Sequence, residues 1–365
     1  MEEPTPGGSN GPLLRRPQRR RAGRQGLVVL LAGVIAVVVV VIVIVTSGSP
    51  STPTHSTTPG AAPLAAAGSG AGHLAAGSQA ALPANILVAD RNNDRLLVIS
   101  PRGQLVWSKR IAGPSDAYLS PTGRSIIVTQ HGAFDVVRLG VVSGTISYRY
   151  GHGGRPGTAD DYLHDPQTAQ QLPDGRLLIA DKSNCRILFV SPPARRPRTV
   201  LGRPRACVHH PPRTFSYPDA AFPTAAGGLV VTELTPAWVD LLSRSHTLLA
   251  ALRVPGLSAP YDANESASGE LIATSHSRPG AVEEFSATGK VLWRYAVASG
   301  PGRLSLPSLA QILPGGNVLV CDSGNDRVVV IDPHSNTIVW QYGHTGQAGS
   351  QPGYLHTPDS AILVH

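Results

Sequence analysis

The sequence has one methionine, three cysteines and no heptad pattern of apolar residues, and only 15% of it is charged. Without heptads, coiled coils and helix bundles are excluded as the organising fold. There is no Walker motif and no G-x-S-x-G, so neither a P-loop nor a serine-hydrolase nucleophile elbow is indicated. The body of the chain also lacks concentrated positive charge. Six arginines (Arg15, Arg16, Arg19, Arg20, Arg21 and Arg24) stand against Glu2 and Glu3 in residues 1–26, so half of the +8 formal charge lies there. A nucleic-acid binder usually carries its charge on the folded region, so nucleic acid is not an expected partner.

What the chain does have is 39 glycines and 33 prolines, with short β-branched runs between them. That composition points to an all-β protein. Leu27–Val45 is the exception: nineteen residues with no charge. A helix of that length crosses a hydrocarbon core of about 30 Å. Basic residues flank only its N-terminal side, which places residues 1–26 in the cytoplasm and the rest outside. The apolar run exceeds that of a signal peptide and no clear A-x-A follows closely, so it reads as an uncleaved single-pass anchor in the cell membrane. Residues 46–82 are Ser, Thr, Pro, Ala and Gly almost throughout and read as a disordered stalk, with a reach on the order of 35 Å.

From residue 83 to 365 the sequence repeats. A proline is followed nine residues later by a glycine at Pro114 and Gly123, Pro166 and Gly175, Pro218 and Gly227, Pro260 and Gly269, and Pro307 and Gly316, and Pro358 follows at the same interval. The prolines are 52, 52, 42, 47 and 51 residues apart. A period of about 40–50 residues built from short strands is a propeller signature. A second signature is D-x-x-N-x-R, at Asp90-Asn93-Arg95, Asp181-Asn184-Arg186 and Asp322-Asn325-Arg327. Its Asp is expected to accept turn amide hydrogens, and its Asn to take the left-handed conformation. DRNND (90–94) also has spaced oxygen donors, but it lacks the glycine and distal Glu of a calcium loop. A third signature sets a turn residue four before an aromatic: Gly103 and Trp107, Gly144 and Tyr148, Gly289 and Trp293, Asn336 and Trp340. These aromatics are expected to pack the outer strands.

With LPDGRLLIADKSNCRILFV (172–190) as its clearest unit, the region resembles the NHL-repeat propellers. GKVLWRY (289–295) and NTIVWQYG (336–343) are similar to PQQ-like and arylsulfotransferase-like repeats. The resemblance implies a six-bladed β-propeller. It is strong for blades 1, 3 and 6 and weak for blades 2, 4 and 5, which lack D-x-x-N-x-R. The chain ends on TPDSAILV, while the first unit begins without such a segment. The C-terminal strand is therefore expected to become the innermost strand of the first blade, alongside Ile86–Ala89, and so to close the ring.

Two linkers are nearly the same: YGHGGRPGTADDYLHDP (150–166) and YGHTGQAGSQPGYLHTP (342–358). His152, His164, His344 and His356 are thus candidate ligand-binding residues, and His164 and His356, two residues before inner-strand prolines, are the candidates for catalysis. Imidazoles at a channel mouth can hold a divalent metal or act as a base. The resemblance points the same way, since NHL-like amidating lyases use metal-bound histidines and arylsulfotransferase-like propellers use a channel histidine. The plainer reading, linker histidines that bond to backbone, is favoured because every blade needs a linker. No feature compels a PQQ platform. Cys321 reads as a buried thiol, and Cys185 with Cys207 as a candidate disulfide that an exported compartment allows. The tail is too short for an output domain, and the arrangement resembles the exported sensor module of some kinases without the kinase. The leading expectation is a binding module for a cell-envelope protein, a glycan or a small molecule. The alternative is a lyase or arylsulfotransferase-like enzyme, and a third reading is an envelope scaffold.

Overall fold

A computed structural model describes residues 81–364. The basic tail, the apolar run 27–45 and almost all of the segment 46–82 lie outside the described residues. Among the described residues no helix is long and apolar enough to cross a membrane.

Twenty-four strands form six four-stranded antiparallel sheets, the blades of an all-β propeller. Blade 3 shows the plan. Pro166–Gln171 is innermost, followed outward by Leu177–Asp181, Arg186–Val190 and Pro197–Gly202. Blades 2, 4, 5 and 6 repeat it, with innermost strands Pro114–Leu119, Pro218–Pro223, Pro260–Glu265 and Pro307–Ile312. Blade 1 takes its innermost strand from the C-terminus. Pro358–Val364 pairs with Asn85–Asp90, with Ala89 opposite Ser360, Val88 opposite Ala361 and Ile86 opposite Leu363. The closure expected from the broken repeat is thus the one observed. The packed region also includes Ala81 and Leu82, both buried.

All six innermost strands carry alanine three residues after the proline: Ala117, Ala169, Ala221, Ala263, Ala310 and Ala361, each at most 1% exposed. Six strands converge on one axis, and only a methyl group fits between neighbours there. Their free edges are sealed by polar side chains from adjoining blades. The Ala117 amide donates to Ser360 Oγ, the Ala221 amide to Thr168 Oγ1, Asn264 to the Ala310 carbonyl, and the Leu363 amide to Gln311 Oε1. A sheet edge that would otherwise template aggregation is paired inside the molecule.

D-x-x-N-x-R proves to be a clamp on the linker that leads into its own blade. One oxygen of Asp90, Asp181 or Asp322 accepts the backbone N–H of His356, His164 or Ser305 at 2.7–2.8 Å. The other accepts the Asn amide and the Arg Nε at 2.6–2.8 Å. The arginine's terminal nitrogens then donate to linker carbonyls, as Arg186 does to Thr158, Ala159 and Tyr162. Two expectations change here. The Asp bonds the linker rather than its own turn. The left-handed residue is not the Asn but the one after it, Asp94, Cys185 or Asp326. The Asn is held by its side chain to the Asp, so the turn reverses one residue later.

The third signature staples outer strands across blades. Tyr148 Oη donates to the Ala194 carbonyl in blade 3, Trp293 Nε1 to Asn336 in blade 6, and Trp340 Nε1 to the Pro101 carbonyl in blade 1. Cys185 and Cys207 are joined in a disulfide, 22 residues apart in sequence, and Cys321 is buried and free. A closed loop of this size stabilises by about 3 kcal/mol. Urea unfolding with and without reductant should show a loss of that order. No change in midpoint would mean that the linker stays in place without the bond.

Candidate functional site

The prolines open the innermost strands at one end of the channel, and the next residue in each strand faces its neighbours there: Ser115, Gln167, Asp219, Tyr261, Ser308 and Asp359. A second ring comes from the residue that follows each blade's second strand. It consists of Arg91, His131, Lys182, Leu234, His276 and Ser323, at 16 or 17 residues after the proline in blades 2 to 6.

The two rings are wired together. Arg91 Nη1 meets Asp359 Oδ2 at 2.8 Å, and Lys182 Nζ meets Asp219 Oδ1 at 2.9 Å. Burial lowers the Lys182 ammonium, but the Asp219 charge more than offsets it, so the amine stays cationic. His131 Nδ1 lies 2.5 Å from Asp165 Oδ1, and Gln167 donates to the same oxygen at 2.9 Å. Burial would raise Asp165, but the His131 hydrogen bond and the His131 and Lys182 charges hold it below the usual carboxylate range. His276 Nδ1 contacts the Pro307 carbonyl at 3.3 Å. A carbonyl only accepts, so this nitrogen is the donor, and in the neutral ring the lone pair then lies on Nε2. The His276 ring stacks on Tyr261, with centroids 4.6 Å apart. Ser323 Oγ donates to the Pro358 carbonyl at 2.6 Å and lies 2.7 Å from Ser308 Oγ.

Below this mouth Asp116 and Asp262 join Ser115, Gln167, Thr168, Tyr261 and Asp359 around a narrow throat. Both carboxyls are pushed well above the usual range. Burial is the main cause in each, and the charges of neighbouring carboxylates add to it. Burial and the same carboxylates push the hydroxyls of Tyr118 and Tyr261 up. Asp116 Oδ2 and Asp262 Oδ1 are buried with no hydrogen-bond partner among the described residues. Beyond the throat the channel widens into a cavity of about 170 Å³ bounded by Tyr118, Gln170, Phe222, Asn264 and Gln311.

A buried acceptor left unpaired costs about 1–3 kcal/mol. The throat therefore favours a ligand that donates hydrogen bonds or carries positive charge. The mouth above it offers two imidazoles, an ammonium and a guanidinium already neutralised by carboxylates. An imidazole with a free Nε2 is also equipped to take a proton.

The four histidines singled out in the sequence lie in the two linkers. His152 stacks on Tyr162 at 4.0 Å and bonds Asp161 at 2.8 Å, and His344 stacks on Tyr354 at 4.1 Å. These contacts lie within each linker. Gly157 and Gly349 give the tyrosines room, since a Cβ at either would meet the ring within 3.0 Å. His164 and His356 use their backbone: the N–H goes to the clamp Asp, and the carbonyl accepts from Ser183 or Asn92. The His164 ring packs edge-on to Phe134. The structure does not bring the four rings into one cluster. The imidazoles at the mouth, His131 and His276, come from blades without D-x-x-N-x-R. Their signal in the sequence is the fixed offset from the inner proline, which also gives Arg91's counterpart Lys182.

No protein-family model matches the chain, and no curated protein matches it. Solved structures do. A protein of unknown function from Bacteroides caccae is similar over 71% of this chain and 93% of its own, with TM-score 0.51 and 16% identity. A streptogramin B lyase is similar over 73% and 80%, with TM-score 0.50 and 15% identity. The periplasmic gluconolactonase of Pseudomonas aeruginosa is similar over 77% and 99%, with TM-score 0.50 and 15% identity. At these identities the likeness is one of fold: a six-bladed β-propeller.

Proposed function

We propose that this propeller binds a small polar ligand, rich in hydrogen-bond donors or cationic, at the channel mouth above the throat acids Asp116 and Asp262. We further propose that residues 27–45 anchor it in the cell membrane with the propeller outside. The observation that carries the binding reading is the pair of buried carboxyls on opposite blades, each with one oxygen unpaired, beneath a polar mouth. The clamp carboxylates Asp181 and Asp322, by contrast, have their hydrogen bonds filled by the protein. Amines and amino sugars of the cell envelope have the matching chemistry. Protein partners remain compatible with the outer loops, which rigid blades present well.

A second reading, an enzyme, is favoured by one feature. His276 is oriented by the Pro307 carbonyl and by Tyr261, and its Nε2 is engaged by no described residue. Similar solved propellers include a lyase and a lactonase, which are the reaction classes to assay first.

The test is thermal unfolding of the full chain in detergent against spermidine, glucosamine and glucose. Ligand at 100 times its dissociation constant stabilises by about 2.7 kcal/mol. An amine should raise the midpoint, and Asp262→Asn should abolish the rise. The binding reading fails if none of the three probes shifts wild type, or if the shift survives Asp262→Asn. Slow loss of ester or lactone from an assay mix, abolished in His276→Gln, would favour the enzyme.

A further inference from the structure

Blade 4 departs from the clamp found in blades 1, 3 and 6. Glu233 stands where Asp181 stands in blade 3, and its Oε2 accepts the Ser216 N–H at 2.6 Å, as Asp181 accepts that of His164. Five residues on, where the clamp has arginine, this blade has Trp238. Two residues further comes a second acid, Asp240. Both carboxyls are fully buried. No lysine or arginine pairs with either among the described residues. The group facing them is His209, whose Nδ1 lies 3.2 Å from Glu233 Oε1 and 3.8 Å from Asp240 Oδ2.

Four atoms in this nest lack a hydrogen-bond partner: Glu233 Oε1, His209 Nδ1 and both oxygens of Asp240. One ligand atom from each residue falls within 4.8 Å of the others. Metal–ligand bonds of about 2.0–2.2 Å set adjacent ligand atoms about 3.0–3.6 Å apart. The His209 spacings are close to that. The imidazole is also held in place. It stacks on Trp238 at 4.3 Å and 7°, and the Arg253 guanidinium lies over the same Trp238 ring. The Cys185–Cys207 disulfide pins the linker two residues before His209.

We infer that His209, Glu233 and Asp240 bind a divalent transition metal ion, in the position that a guanidinium occupies in blades 1, 3 and 6. One imidazole nitrogen and two carboxylate oxygens suit zinc or manganese. Calcium and magnesium prefer all-oxygen sets, and there is no thiolate here for soft ions. Three protein ligands leave room for a fourth, and His209 is the partly exposed side through which an ion enters. The ion ties the linker 203–217 to the blade, as the arginine clamp does elsewhere. The competing arrangement is a shared proton, since burial and then the Glu233 charge push Asp240 up to about 9. Metal content separates the two.

Untagged full-length protein in detergent, incubated with zinc chloride or manganese chloride and then dialysed, is measured by elemental analysis beside Asp240→Asn, His209→Gln and Asp262→Asn. Wild type and Asp262→Asn should each retain about one ion per chain and gain thermal stability with added metal. Asp240→Asn and His209→Gln should retain none and show no gain, while keeping the circular dichroism of the folded blades. Folded wild type free of metal after loading overturns the inference. Metal kept by both ligand variants, or lost on Asp262→Asn alone, overturns it too, the last outcome assigning the ion to the channel.

Discussion

Deleting residues 358–365 should leave a chain that no longer unfolds cooperatively. The strand Pro358–Val364 has Asn85–Asp90 as its backbone partner, and blade 1 cannot form four strands without it. The loss spreads beyond that blade. Ser308 Oγ gives up the Asp359 carbonyl, Ser323 Oγ the Pro358 carbonyl, and the Ala117 amide its bond to Ser360 Oγ. Blades 6 and 2 therefore both lose contacts to the missing strand. Ladder bonds contribute about 1 kcal/mol each and buried Ile or Val about 1.5–3 kcal/mol. The total is on the order of 10 kcal/mol, comparable with the whole stability of a domain. Urea unfolding followed by tryptophan fluorescence checks it. A truncated chain that keeps a cooperative transition with an unchanged midpoint would show that the ring is held by other means.

The second large effect is at Arg327. Its side chain is 2% exposed and spends its donors on Asp322, the Pro301 and Arg303 carbonyls, Gln341 and Thr345. Arg327→Ala strands the Asp322 carboxylate in the interior, a change that costs about 3–5 kcal/mol. Arg327→Lys should not rescue it, because one ammonium cannot reach linker carbonyls on two sides of a planar fork. The double variant Asp322→Asn, Arg327→Met should lose less than Arg327→Ala, since no charge is left behind. Equilibrium unfolding of the three variants tests this. A loss below about 1 kcal/mol for Arg327→Ala would mean that the clamp is solvated after all.

The propeller was legible because its signals are local. Proline opens each inner strand, glycine closes its turn, and a strand missing from the first unit is present after the last. The clamp was legible as a motif but not in its role, because the linker amides it binds lie 17 residues away in blade 3 and 266 away in blade 1. The YGH linkers attracted attention by repeating, yet their repetition preserves a histidine–tyrosine stack and a tyrosine pocket beside a glycine. The mouth was hidden for the opposite reason. Arg91, His131, Lys182 and His276 are of three types in four different sequence contexts, so no string repeats, and only their place just after each blade's second strand relates them. Asp116 and Asp262 were invisible as a pair because they sit in blades 2 and 5, which meet only when the ring is closed. Glu233 and Asp240 read as unrelated acids in successive strands until Trp238 is seen in the clamp arginine's place.

The account turns on the throat acids being kept for a ligand at a cost to the fold. A carboxyl whose pKa is raised by burial binds its proton more tightly folded than unfolded. Its stabilising effect is complete below the unfolded value, near 3.9 for Asp, and is lost as pH rises toward the folded value. The decisive measurement is the unfolding midpoint of wild type and of Asp262→Asn from pH 4 to pH 8 without ligand. The variant, which has no charge to bury, should pull ahead of wild type as pH rises, by on the order of 3 °C at pH 8. A variant that falls behind wild type as pH rises would show that the Asp262 carboxylate supports the fold, and would contradict the account.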